Sequence, residues 1–370
     1  MKSTLRLFTL LALCILLNNS AVFAQGCVAI RSTGGITTMD EHPDSTKSNS
    51  YWLLNSNSRY YKSFRHFVGK QEQFYRIDQL HNNVINKVYT QDVTLTRVLN
   101  NRWSLALDVP FADNSRSQVL KATATAGAKR YSTHSFGIGD INFSGYYWLF
   151  NPAKAPKGNI QVGFGIKFAT GNYNVQDYFL TNAATGERTL KNVDQSIQLG
   201  DGGTGITTEI NAYYNLTSKF SLYGNFYYLA NPQDVSISKS ATTAPATSIG
   251  AAETSDVYSV PDQFLIRFGA SLAVKKFNFS LGYREDCLPV HDLLGNSDGF
   301  RRPGKIYAAE PGVTYRFKNI SIYGLVPIAI VRDRTQSVPD KRETAATGVY
   351  QQGDAAFADY VVNIGITVKF

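Results

Sequence analysis

The feature that most constrains this chain is a two-residue alternation of apolar and polar side chains that recurs along most of its length. The clearest case is Ile160, Val162, Phe164, Ile166 and Phe168, separated by Gln161, Gly163, Gly165, Lys167 and Ala169. Successive residues of a β-strand point to opposite faces, so this run buries one face in an apolar medium and leaves the other polar. The same grammar returns in Ile141–Phe143–Gly145–Tyr147–Leu149, in Trp103–Leu105–Leu107–Val109, in Phe264–Ile266–Phe268–Ala270–Leu272 and in the closing Tyr360–Val362–Ile364–Ile366–Val368–Phe370. Twelve such runs can be placed, near 52–65, 84–99, 103–111, 137–150, 158–170, 204–215, 219–230, 261–274, 277–287, 305–317, 320–332 and 358–370.

The segments between them alternate in length. Asn100–Arg102, Leu216–Ser218, Lys275–Lys276 and Lys318–Asn319 are tight, and Asn151–Lys157 is a little longer. Gly171–Gly203, Asn231–Val260 and Asp333–Phe357 are long and polar. Past the N-terminus no stretch of about 18 consecutive apolar residues exists, so a membrane would be crossed by strands. Short turns on one side and long loops on the other are the asymmetry of outer-membrane barrels. The expected fold is all-β: an antiparallel transmembrane β-barrel of about twelve strands, with short periplasmic turns and long outer loops. A hydrophobic content of 43%, with 22 Tyr and 22 Phe, suits a wall that meets lipid on alternate residues only. A secreted β-sandwich is the soluble alternative, since its strands also alternate.

The N-terminus reads as an export signal. Lys2 and Arg6 precede the apolar run Leu5 to Leu17, and Val22-Phe23-Ala24 has the small-residue form of a cleavage site. The expected organisation is a signal peptide at 1–24, an irregular arm at 25–50 and a barrel at 51–370. Cys14 leaves with the signal, and Cys27 and Cys287 remain in an oxidising compartment, either as a disulfide or as two thiols. A bond between them would draw the arm up through the lumen as a plug.

With apolar faces toward lipid, the polar faces line the lumen. The candidates are Asp140, Asn142, Lys167, Glu209, Asn211, Tyr223, Arg267, Arg284, Glu310 and Arg316, accompanied by Tyr213, Asn225, Tyr227 and Lys369. They either form a solute path or a closed core of ion pairs. The formal charge of +9 is spread without a Lys/Arg cluster, which argues against nucleic acid as a partner. No cofactor signature, metal-ligand spacing or hydrolase motif is present. His134 and Ser135 are adjacent on an extended chain and so face opposite ways. Gly200–Gly205 (GDGGTG) lacks the phosphate-loop lysine and reads as a flexible loop base. Asp298–Gly304, with Arg301 and Arg302, reads first as a solvated loop, the alternatives being a turn that folds inward to constrict a pore or one that contacts anionic lipopolysaccharide.

Four stretches carry a resemblance: GIGDINFSGYYWLF (137–150), GNIQVGFGIKFATGNYN (158–174), VDQSIQLGDGGTGI (193–206) and DLLGNSDGFRRPG (292–304). They resemble the family named for the meta-pathway of phenol degradation, a group of outer-membrane barrels described as transporters. Ala169 departs from it, standing where such proteins have proline. A terminal aromatic such as Phe370 resembles the insertion signal read by the barrel-assembly machinery. The resemblance implies a passive outer-membrane channel or facilitator for small, aromatic or hydrophobic molecules, in contact with outer-membrane lipid and lipopolysaccharide. The alternatives are a non-transporting structural or surface-interaction barrel and, with no motif behind it, an outer-membrane enzyme.

Overall fold

A computed structural model describes residues 50–120, 129–239 and 257–370. The expected signal peptide, the arm up to residue 49 and Cys27 lie outside the described residues, and with Cys27 the question of its bond to Cys287.

Twelve antiparallel strands make one sheet. They are β1 (Tyr51–Val68), β2 (Ile85–Val98), β3 (Trp103–Gln118), β4 in two segments (Tyr131–Ile138 and Asn142–Trp148), β5 (Gly158–Lys167) and β6 (Gly205–Asn215). The second half is β7 (Phe220–Ala230), β8 (Gln263–Val274), β9 (Phe277–Leu288), β10 (Gly304–Phe317), β11 in two segments (Ile320–Leu325 and Ile328–Arg334) and β12 (Ala355–Lys369). β12 pairs back on β1, with Leu53 opposite Lys369 and Arg59 opposite Asn363, and so closes the barrel. Closure satisfies the backbone groups that lipid cannot. All twelve runs read from the alternation are strands. Several rise further than expected at the loop end: β3 continues to Gln118 and β4 starts at Tyr131.

At the turn end, Lys275 and Lys318 take left-handed backbone (φ 56° and 51°), as two-residue hairpin turns demand. At the loop end lie two hairpins, Gln176–Leu180 with Arg188–Asn192 and Val235–Lys239 with Val257–Ser259, and a helix at Val338–Thr347. That helix starts at a Ser337/Asp340 capping box and stops at left-handed Gly348.

Burial is inverted relative to a soluble β protein. Asp92, Glu209, Arg267 and Glu310 are buried, while Phe164, Leu281, Ile330 and Ile364 are exposed on the outside of the wall. A sandwich would bury the second set and solvate the first, so the soluble alternative fails. Aromatics ring the wall at both ends: Trp52, Trp103, Tyr214 and Phe277 near the turns, Tyr60, Phe111, Tyr283 and Tyr360 near the loops. Trp52 and Tyr60 are separated by about 26 Å of strand, close to the apolar band of such barrels. Cations lie over aromatic faces at the turn end, Arg97 on Trp52 at 5.0 Å and Lys276 on Phe317 at 5.0 Å.

One stretch of wall is held differently. β11 breaks at Val326–Pro327, and Pro327 has no N–H to donate. Beyond the break β11 pairs with β10, but it meets β12 only where Ile328 faces Tyr360. Arg332 bridges the gap, its Nε donating to the Ala358 carbonyl at 3.0 Å and its Nη2 to Asp359 at 2.7 Å. Arg65 of β1 reaches the same Asp359 at 2.7 Å.

Candidate solute path

The inward faces of the strands form three storeys. At the turn end, Tyr213, Tyr223, Ser271, Asn278 and Arg316 border a cavity of about 500 Å³ whose rim carries Lys157, Lys219, Lys275 and Lys276. Tyr223 lies flat because Gly269 and Gly282 face each other beneath it. A Cβ at Gly282 would stand 2.3 Å from its hydroxyl.

Above this cavity a polar belt crosses the barrel. Tyr146 donates to Glu209 at 3.0 Å, Asn225 donates to Glu209 at 3.0 Å and to Asn211 at 2.7 Å, and Asn211 donates to Gln161 at 3.3 Å. Arg267 donates to Asn225 at 3.3 Å and stands 3.8 Å from Glu310, which Arg284 also approaches at 3.3 Å. Arg284 closes the run on Asp286 at 2.7 Å. On the opposite wall Arg59 pairs with Asp92 at 3.3 Å and donates to Asn363 at 3.1 Å. Glu209 is met by the neutral donors Tyr146 and Asn225, and the other ionic groups are buried beside partners of opposite sign, which is what makes their burial tolerable.

Above the belt is a chamber of about 150 Å³, with Asp108, Asn142, Lys167, Glu209 and Tyr227 among its walls. Its roof is the loop between β5 and β6, which folds inward. Val193 and Ile197 of that loop are fully buried, and Tyr258 donates to the Val193 carbonyl at 2.7 Å. Asp140 anchors the loop: it sits in the break of β4, accepts the Gly171 N–H at 2.9 Å and lies 3.6 Å from Lys167. Lys167 also binds Asp201. Gly200–Gly205 is therefore a pinned segment, contrary to the flexible base expected: a Cβ at Gly200 would meet Asp140 Oδ1 at 2.6 Å.

A third cavity, about 570 Å³, opens between the tops of β1 to β4 and the last two loops. Arg76, Arg116, Arg301, Arg302 and Arg334 line it. Arg301 is 1% exposed and grips Asp292 at 2.5 and 2.7 Å, and Arg302 forks onto Asp194 at 2.7 and 2.9 Å. The loop thus takes the inward alternative and not the solvated one, because its guanidiniums have buried carboxylates to meet. Arg116 approaches Asp194 from the wall at 3.3 Å. Burial opposes ionisation of Asp194, but Arg116 and Arg302 outweigh it and hold the carboxyl well below its ordinary range. Asp354, beside His66 at 2.5 Å and bonded to Arg76, is held low in the same way. Arg302 borders both this vestibule and the chamber, so its bond to Asp194 is the partition between them.

All ten residues singled out from the alternation turn inward. Asp140, Lys167, Glu209, Asn211, Tyr223, Arg267, Arg284 and Glu310 are buried, and Asn142 and Arg316 are half-buried. Lys369 instead lies over the Tyr51 ring at 3.9 Å. Ser135 points inward to the Ile197 carbonyl, whereas His134 is exposed beside Asp177 at 3.5 Å. The two stand on opposite faces of β4 and form no nucleophile–base pair. Sequence reasoning missed Asp194, Asp292 and Arg116, and also Arg59 and Asp92.

The barrel resembles a COG4313 outer membrane channel from Pseudomonas putida F1 with a TM-score of 0.54, at 10% identity, over 89% of this chain and 98% of that one. The chain has the closed β-barrel fold of that outer membrane channel. The toluene transporter TbuX of Ralstonia pickettii aligns at a TM-score of 0.42 and 10% identity over 94% of this barrel and 97% of that one, and the fold assignment does not rest on it. No family profile and no curated protein matches the sequence.

Proposed function

We propose that this barrel is an outer-membrane channel or facilitator for the passive passage of small molecules, aromatic or otherwise hydrophobic ones among them. The observation that carries this reading is the stack of three cavities, about 500, 150 and 570 Å³, between the turn end and the loop end. What separates the upper two is the inward-folded loop at 193–201 together with the fork of Arg302 on Asp194, and loop segments and side chains move on faster timescales than barrel backbone. The inward residues Glu209, Asn225, Arg267, Arg284 and Glu310 serve on this reading as the narrow part of the path. The turn end faces the periplasm, the loops face outward toward lipopolysaccharide, and export runs through the signal peptide at 1–24.

The P. putida relative is an outer membrane channel and TbuX is a toluene transporter. Those facts, with the resemblance to the phenol meta-pathway family, support an aromatic solute here. A second reading, a non-transporting barrel, is favoured by the continuity of the polar belt. Uptake of radiolabelled toluene by porin-deficient cells separates the two. Expression of the folded barrel raises the uptake rate on the channel reading, and an unchanged rate with the barrel present in the outer membrane refutes it.

A further inference from the structure

Two carboxylates of the inward-folded loop sit on cations that border the cavities. Asp194 occupies the fork of Arg302 and the face of Arg116, and Asp201 occupies Lys167. Both belong to one short segment, tied to the wall and the neighbouring loops through Ser135, Asp140, Tyr258, Arg116, Ser259 and Val175, so that its displacement breaks these bonds together. The vestibule beside Arg302 has cationic and apolar walls together: its arginines share the surface with Val119, Leu120, Tyr131 and Phe300. A guanidinium fork next to aromatic and aliphatic wall matches a small carboxylate with an apolar body, whose two oxygens take the bidentate bonds while its body covers the rings.

We infer that the vestibule is a binding site for small apolar carboxylates, and that Asp194 is a tethered competitor for it. In the closed arrangement the loop's own carboxylate fills the Arg302 fork. A diffusible carboxylate that takes the fork releases Asp194, and the segment that leaves with it carries Asp201 off Lys167 and unroofs the chamber. The ligand therefore opens the partition by substitution at Arg302, anion for anion, while Arg116 loses Asp194 and keeps Asn86 as its partner. Asp194 is suited to this because it stays ionised: burial disfavours its charge, but the two guanidiniums hold it well below its ordinary range. The tether lowers the apparent affinity of any free ligand by the fraction of time the fork is occupied. This deepens the channel reading by naming a solute class, but binding at the vestibule does not require conduction.

The test is calorimetric titration of the refolded barrel in detergent with sodium benzoate, and with benzyl alcohol as the uncharged ligand of the same ring. Benzoate saturates one site and benzyl alcohol binds at least about tenfold more weakly. Asp194→Asn removes the competitor and keeps the arginines, so benzoate binds about tenfold more tightly to it, whereas Arg302→Gln loses binding. Heat-modifiable gel migration reports whether each variant is folded. Should Asp194→Asn not fold, Asp201→Asn, which loosens the same segment from Lys167, carries the same expected direction. Equal binding of the two ligands to the wild type overturns the inference, as does unchanged or weaker benzoate affinity in a folded Asp194→Asn. Neither result touches the channel reading, which stands or falls on conductance and uptake.

Discussion

Arg332 donates its Nε hydrogen to the carbonyl of Ala358 at 3.0 Å, across the stretch where β11 and β12 otherwise meet only at Ile328 and Tyr360. A side chain stands where a backbone ladder would run. Pro327 is the cause, since it interrupts β11 where pairing to both neighbours would continue.

Arg332→Ala should therefore destabilise the barrel by about 1–3 kcal/mol, the cost of leaving a buried acceptor without its donor. Lysine should rescue little of it, because one ammonium cannot meet both the Ala358 carbonyl and Asp359 with the geometry of the guanidinium fork. Urea unfolding in lipid vesicles, followed by tryptophan fluorescence, measures the difference.

Gly282 supplies a second stability test. A methyl group there has Tyr223 Oη at 2.3 Å and the Phe268 carbonyl at 2.9 Å. The ring can swing into the lower cavity but the carbonyl cannot move freely. Gly282→Ala should cost about 1–3 kcal/mol by overpacking, and Tyr223→Ala on top of it should recover part of that loss. A double-mutant cycle in the same unfolding assay reads the coupling.

Acid should spare the loop closure over the range where most carboxylates titrate. Asp194 and Asp354 have ordinary values of 3.8 and lie well below them in the folded barrel. For a carboxyl held low, the stabilisation is complete above the unfolded value and is lost only as pH falls toward the depressed folded value. Trypsin digestion of the outer loops at pH 7, and pepsin digestion as far down as pH 4, should thus find the segment around 193–201 equally protected. Protection lost between pH 6 and 4 would contradict the ion pairing at these two sites.

The strands were legible because lipid enforces the alternation: Lys167 and Glu209 share the inward parity of their runs, and the structure puts both on the chamber wall. Arg59 and Asp92 obey the same parity but were overlooked. The outward face of β1 carries Ser56 and Ser58, bonded to Gln91 of β2, and that polar patch blurs the contrast between the faces. Asp194 and Arg302 were beyond reach for a different reason. They lie 108 residues apart on loops with no period, and nothing local to either says that they meet. The stretches VDQSIQLGDGGTGI and DLLGNSDGFRRPG that carry the family resemblance contain both residues, so the resemblance marked the segments while the pairing came from the fold.

Arg302→Gln should leave Asp194 with Arg116 alone and weaken the partition between vestibule and chamber. Open-channel probability in this variant should exceed that of the wild type, with the unit step unchanged if the polar belt sets the narrowest point. A smaller open probability would place the restriction elsewhere.

The central claim is that a continuous path runs through this barrel, and single-channel recording tests it most directly. Purified, refolded protein is reconstituted into a planar bilayer in potassium chloride. The account predicts discrete current steps, small in size because the belt of Glu209, Asn225, Arg267 and Glu310 narrows the path, and more frequent in Arg302→Gln. A barrel that is folded by heat-modifiable migration yet silent in both the wild type and Arg302→Gln would contradict it.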